Sequence, residues 1–292
     1  MPTYAVFSLL AAVFFAFQYV FEKLASKHTI KTRSGLIFYL YLSFLPFTLL
    51  LPLFVDIGFP QGIWQIIWLH SLMFFIGNFL FFTAIFKTDV STFAPIFQVQ
   101  AGILAILAFV FLKERFPVIS YFWIGLMIFG GTLVAYEEKM KLRAFWQKPA
   151  LLVLASTFFY ATSDLFAGFA LKHISFWTLT FWAAFTNFVL ASAVVVPFSR
   201  GKLRISFKQF SPMLVAGTLG AIAYTLLLKA YETNLTLSQT LVLLTSPIVL
   251  ILSLIASKFN PGLLEHHPDK VYLVRAIGVG TILFGALKLV LP

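Results

Sequence analysis

The chain has 292 residues, of which 61% are hydrophobic, 18% aromatic and only 11% charged, with a mean hydropathy of +0.96. That apolar share excludes an ordinary soluble domain, and the absence of cysteine excludes disulfides, thiolate metal sites and thiol nucleophiles. The net charge of +11 would suit nucleic acid only if the cations shared a face, and they are instead divided among loops.

A helix rises about 1.5 Å per residue, so roughly 20 apolar residues cross a hydrocarbon core of about 30 Å. Ten such runs are predicted, at 4–24, 35–54, 66–86, 92–112, 118–136, 151–171, 175–197, 212–231, 237–258 and 271–290. The first run has no Lys or Arg before it and is expected to be a retained span, not a signal peptide. The connectors are short, "EEKMKLRAFWQKP", "SRGKLRISFKQFSP" and "NPGLLEHHPDK" among the longest, and leave no room for a soluble domain.

Connectors after spans 1, 3, 5, 7 and 9, with their flanks, carry fifteen Lys and Arg residues. The opposite side carries five: Lys113, Arg115, Lys172, Lys229 and Lys288. The positive-inside rule puts the rich side in the cytoplasm, so a multi-pass protein of the inner or plasma membrane with both termini outside is expected.

Shifting the sequence by 145 places Leu9 on Leu154, Phe14 on Phe159, Ala16 on Ala161, Ala25 on Ala170, Lys27-His28 on Lys172-His173 and Pro52 on Pro197. A shift of 146 continues with Leu80 on Leu226, Ala84 on Ala230 and Leu104 on Leu250, and after an insertion Gly125 falls on Gly278. One register held across several spans predicts an all-α integral membrane fold of ten helices in two five-helix repeats, 1–145 and 146–292. Five is odd, so the second repeat is inverted, an architecture that places a binding site near the midplane.

Several segments carry a family resemblance. "FAFQYVFEK" at 15–23 resembles the first-span motif of the EamA family in the drug/metabolite transporter superfamily, and "APIFQVQAGILAILAFVFLKERF" at 94–116 resembles its fourth span. "TSPIVLILSLIASKF" at 245–259 is similar to the second copy of that span, and "WIGLMIFGGTLV" and "AIGVGTILFGALKLV" to the fifth and tenth. The copies differ where Ala101 faces Pro247 and Glu114 faces Asn260. The resemblance implies a metabolite transporter, with export of amino acids or related compounds in its range, and names no substrate.

A carboxylate near the bilayer centre costs on the order of 3 kcal/mol on insertion scales, so it faces protein or water and is a site candidate. Asp164 lies roughly 12 Å inside its span at helical rise, too deep for a short side chain to reach the interface. Thr157, Tyr160, Ala161, Asp164, Ala167, Gly168 and Leu171 share one face by three-and-four spacing, with Phe158, Leu165, Phe166 and Phe169 expected toward lipid. A contact with a cavity and a tie to a neighbouring helix, through Asn187, both stay open for Asp164.

Span 1 repeats the pattern, with Gln18, Tyr19, Glu22 and Ser26 opposite Phe14, Phe17 and Phe21; Tyr19 corresponds to Asp164, and Gln18 to Ser163. An interfacial pair with Lys23 is the alternative for Glu22. Asn78 and Tyr224 correspond in spans 3 and 8; span 4 offers Gln98 on a stripe with Ser91, Pro95 and Gly102, and span 9 offers Gln239, Thr245 and Ser246. Each of these polar groups alone could serve helix packing; their convergence from both repeats makes them substrate or coupling candidates. The glycines at 125, 130, 131, 278, 280 and 285 are expected to permit close helix packing.

No Gly-x-Ser-x-Gly, His-Glu-x-x-His or Walker sequence occurs, so no catalytic residue, metal ligand or cofactor is assigned. The expected function is a secondary transporter working by alternating access on a small polar molecule, protons being a candidate coupling ion, as a monomer or homodimer in the bilayer without nucleic acid. A passive facilitator is the nearest alternative, and an intramembrane enzyme the more distant one.

Overall fold

The computed structural model describes residues 1–28, 30, 32–85, 94–136, 148–199, 203, 205–257 and 269–291. In chain order the helices are α1 Thr3–His28, α2 Arg33–Leu50, α3 Trp64–Ile85, α4 Ala94–Phe97, α5 Val99–Leu107, α6 Val118–Val134, α7 Lys148–Ala170, α8 Phe176–Phe198, α9 Phe207–Tyr231, α10 Leu235–Leu241, α11 Thr245–Ser257 and α12 Asp269–Val290. No strand occurs among the described residues. Eight helical segments are long and apolar enough to cross a membrane, and Val99–Leu112 and Val118–Val134 are shorter apolar helices. Together these ten segments match the predicted spans, and the chain is a multi-pass, all-α membrane protein.

The starts of the helices follow from short polar side chains that satisfy backbone N–H groups left without an intrahelical partner. Thr32 accepts from the Gly35 N–H at 3.2 Å and Ser175 from the Thr178 N–H at 3.2 Å. Ser206 and Gln209 form a reciprocal capping box. Spans 4 and 9 are not continuous α-helix. The first breaks at Gln98 between α4 and α5 and ends in a π turn, Ala108–Leu112; the second carries a 3-10 turn, Val242–Leu244, between α10 and α11.

Faces sort by bulk. On α1, Val6, Leu10, Val13 and Phe17 recur at three- and four-residue spacing and are exposed, a lipid-facing stripe, while Ala5, Ala12 and Ala16 are fully buried. Between lipid-solvated helices, association rests on close packing, which small residues allow. At the crossing of α6 and α12 a Cβ on Gly278 would lie 2.6 Å from the Gly130 carbonyl oxygen, so only glycine fits there. Gly130, Gly131, Gly278 and Gly285 all sit at such approaches. A Cβ on Gly125 or Gly280 would meet nothing within 4 Å, so these two contribute no close contact, contrary to expectation.

Leu165 also departs from expectation: it is 5% exposed and belongs to a core cluster with Ala161, Leu179 and Leu228. The reason is that α7 is packed by α3, α5 and α4, so protein covers more of its circumference than one polar face requires.

The principal packing pairs are α1 with α9, α3 with α7, α6 with α12, α2 with α9 and α8, α3 with α8, α1 with α11 and α5 with α7. Replacing each helix by the one six places along maps this set onto itself: α1–α9 becomes α7–α3, α2–α9 becomes α8–α3, α1–α11 becomes α7–α5, and α2–α8 and α6–α12 are unchanged.

Candidate functional site

Asp164 sits on α7, 8% exposed. Its Oδ2 accepts a hydrogen bond from Gln100 Nε2 at 2.8 Å. The Tyr231 hydroxyl, which donates to Gln239 Oε1 at 2.7 Å, lies beside the same carboxylate, and Tyr224 is within its electrostatic reach. The predicted tie to Asn187 is absent; Asn187 Oδ1 has no hydrogen-bond partner among the described residues.

Gln100 is not a residue that spacing alone places here. Three-and-four spacing puts Gln98 on the stripe with Ser91, Pro95 and Gly102, whereas the residue that reaches Asp164 is Gln100, two positions on. Gln98 instead donates from Nε2 to Ser246 Oγ at 3.1 Å, and its side chain fills the space left by Gly131, where a Cβ would meet Oε1 at 2.5 Å. Gln98 and Ser246 are therefore a tie between spans 4 and 9. Thr245 is 6% exposed and its hydroxyl is unpartnered among the described residues. Of that stripe, Ser91 and the Pro95 side chain fall outside the described residues.

The second carboxylate, Glu22, accepts from Gln18 Nε2 at 2.7 Å. Gln18 itself is 6% exposed and fits against Gly220 of α9, where a Cβ would meet its Oε1 at 2.5 Å. The Lys23 side chain, expected as an alternative partner for Glu22, falls outside the described residues.

Between the two carboxylates runs a chain of aromatic rings. The Tyr160 hydroxyl donates to Asn78 Oδ1 at 3.1 Å, and Asn78 Nδ2 donates to the Tyr41 hydroxyl at 2.9 Å and the Phe74 carbonyl at 3.0 Å. Phe74 packs edge-on to Tyr160 with centroids 5.6 Å apart and against Tyr224 at 6.2 Å, and Phe97 approaches Tyr160 at 6.1 Å. Gly77 makes room for Tyr160, since a Cβ there would meet the ring at 3.0 Å. Tyr19 is half exposed, yet Tyr160 lies within electrostatic reach of both Tyr19 and Glu22. Because α1 packs on α9 and α11 while α7 packs on α3 and α5, Tyr19 and Tyr160 belong to the two groups of helices that meet at a seam.

His70 carries no signal in the sequence, a lone imidazole in the run "WQIIWLHSLMFF". It is 1% exposed; Nδ1 lies 2.9 Å from both the carbonyl and the hydroxyl oxygen of Ser163, and Nε2 lies 3.0 Å from the Tyr224 hydroxyl. The imidazole thus joins α3, α7 and α9, through the residue that precedes Asp164 in the chain. The corresponding residues Asn78 and Tyr224 do enter one network, through Phe74. A separate groove of about 460 Å³, lined by residues including Gly102, Phe109, Tyr121 and Gly125, is apolar and touches neither carboxylate.

Two polar contacts lie outside this centre. Lys229 pairs with Glu232 at 2.8 Å, the only ion pair among the described residues. Glu114, at the end of span 4, accepts from the Leu235 N–H at 3.1 Å, the Thr236 N–H at 3.2 Å and the Thr236 hydroxyl at 2.6 Å. It caps the start of α10, a role that the sequence pattern does not reveal. Asn260, its counterpart by register, falls outside the described residues.

Residues 2–136 match the model of the EamA-like transporter family. Over that stretch the chain is similar to the EamA-like transporters. The family lies within the drug/metabolite transporter superfamily, so the expected resemblance holds over the first five spans. A solved structure described as "Crystal structure of protein" aligns with a TM-score of 0.74 over 99% of this chain and 97% of its own, at 13% identity. At that identity the likeness shows the fold alone, over all ten spans. No curated protein matches the chain in sequence.

Proposed function

We propose that the chain is a secondary transporter that moves a small polar metabolite, amino acids and related compounds included, outward across the cell membrane by alternating access. One observation carries this: two intramembrane carboxylates, Asp164 and Glu22, lie on helices from opposite halves of the chain, each accepting from a glutamine, with packed aromatic rings between them. Intramembrane ionisable groups mark substrate or ion pathways. The residues proposed to bind or couple are Asp164, Tyr19, Gln18, Glu22, Asn78, Tyr160 and Tyr224, with Gln98, Thr245 and Ser246 at the spans that flank them.

The same reading takes 1–145 and 146–292 as inverted repeats. Its support is the exchange symmetry of the helix packing together with the breaks in spans 4 and 9, where Gln98 corresponds to Leu244. A pair of interrupted helices at matching positions in two halves is a feature of transporter sites. In this scheme the two repeats swap arrangements around the carboxylates, opening the seam to one side and then the other.

Flux in proteoliposomes tests the function. An imposed proton gradient is expected to drive accumulation of a metabolite from a mixed polar pool; accumulation independent of the gradient supports a facilitator, and chemically altered product an enzyme. The orientation is tested separately by a carboxy-terminal reporter. The cation bias predicts a cytoplasm-silent fusion at Pro292, and a fluorescent cytoplasmic fusion overturns it.

A further inference from the structure

The charge and surface of the seam restrict what it can hold. Among the described residues neither Asp164 nor Glu22 has a cationic partner within 4 Å, since Lys229–Glu232 is the only ion pair. Both side-chain N–H groups that Asn78 can offer are engaged, by Tyr41 and by the Phe74 carbonyl, and Gln100 and Gln18 donate to the carboxylates themselves. Both ring nitrogens of His70 are occupied by Ser163 and Tyr224. A ligand carboxylate or phosphate therefore meets no described cation here, and the glutamine amides nearest the carboxylates each already donate to one.

A ligand cation meets the opposite situation. The aromatic face carries negative potential and attracts ammonium groups, more so where water is thin. Phe74, Phe97, Tyr160 and Tyr224 come from four different helices and pack on one another, and Tyr19 of a fifth lies within electrostatic reach of Tyr160. The rings are held in place before any ligand arrives: Tyr160 by Asn78 and the gap at Gly77, Tyr224 by His70. Such rigidity lowers the ordering cost of binding.

We infer that the seam selects organic cations, a substituted ammonium seated among Tyr19, Phe74, Tyr160 and Tyr224 with Asp164 and Glu22 supplying the counter-charge, over zwitterions and anions of similar size. This rests on the transporter reading above and narrows its substrate class. A monocation offsets one of the two carboxylates and a neutral ligand neither, while an amino acid or an anion brings a third carboxylate into the same space, which like-charge repulsion opposes.

The test is calorimetric binding to the purified full chain in detergent, with three probes that share a phenyl ring: benzyltrimethylammonium, phenylalanine and 3-phenylpropanoate. Saturable binding of benzyltrimethylammonium alone is expected. Tyr160→Leu should weaken it at least about tenfold and Tyr160→Phe less than about threefold, since phenylalanine keeps the ring and loses only the bond to Asn78. Melting temperature measured on each variant separates lost binding from lost folding; if Tyr160→Leu does not fold, Phe74→Leu takes its place. Preferential binding of phenylalanine or 3-phenylpropanoate overturns the cation assignment and leaves the transporter reading intact. Binding of none of the three also overturns it, and the proteoliposome flux then decides the wider reading on its own.

Discussion

Replacing Asp164 with asparagine is expected to lower gradient-driven accumulation in proteoliposomes by about tenfold or more, a loss of roughly 1.4 kcal/mol or more in the coupled step. Counterflow exchange of substrate, which needs no net proton movement, is expected to fall less, since Glu22 still supplies a counter-charge. The asparagine carbonyl can still accept from Gln100 Nε2, which donates to Asp164 Oδ2 at 2.8 Å, so the helix contact is largely kept while the ionisable group is lost. Asp164→Leu goes further, leaving the Gln100 amide without its buried partner, and is expected to reduce the folded yield as well. The separation between the two variants is the informative quantity. Should Asp164→Asn accumulate substrate at the wild-type rate at every pH, Asp164 is a helix tie and carries no coupling.

Glu114→Ala is expected to lower thermal stability in detergent by the equivalent of about 1–2 kcal/mol, the usual worth of a helix cap. Three hydrogen bonds reach the Glu114 carboxylate from Leu235 and Thr236, and α10, at 7 residues, has few internal bonds to hold its first turn without them. Asn234 also accepts from the Leu237 N–H at 2.9 Å, so the start of α10 loosens but keeps one cap. Glu114→Gln should recover part of the loss because its amide oxygen still accepts. Thr236→Val removes one of the same bonds, and the double variant is expected to fall short of the sum of the two single losses. An unchanged melting temperature in Glu114→Ala would show that water replaces the carboxylate without cost.

Hydropathy alone makes the ten spans legible, because lipid imposes length and composition on any helix that crosses it. Asp164, Asn78, Tyr160 and Tyr224 are legible for a related reason: a polar group at that depth needs a partner, and helical spacing shows which neighbours share its face. Gln100 is not, because it lies off the stripe that three-and-four spacing picks out in span 4 and only its bond to Asp164 reveals it. His70 is hidden by its isolation; its partners Ser163 and Tyr224 are 93 and 154 residues away, and only the fold brings them together. Leu165 shows a different limit. Faces read from spacing assume one lipid-facing side per helix, and α7 is enclosed on several.

The packing pairs bear on how such a chain can be made. The most extensive contacts, α1 with α9, α3 with α7 and α6 with α12, each join a helix of the first half to one of the second. By the time α6 has been synthesised, none of its half's main partners exists, so Asn78, Gln98 and Gln18 wait in lipid with the contacts of Tyr160, Ser246 and Gly220 still to come. Neither half carries a core of its own. Two separately expressed halves should then be unstable alone and stable together, as an obligate heterodimer is, and the single chain acts as a tether that guarantees equal numbers of each.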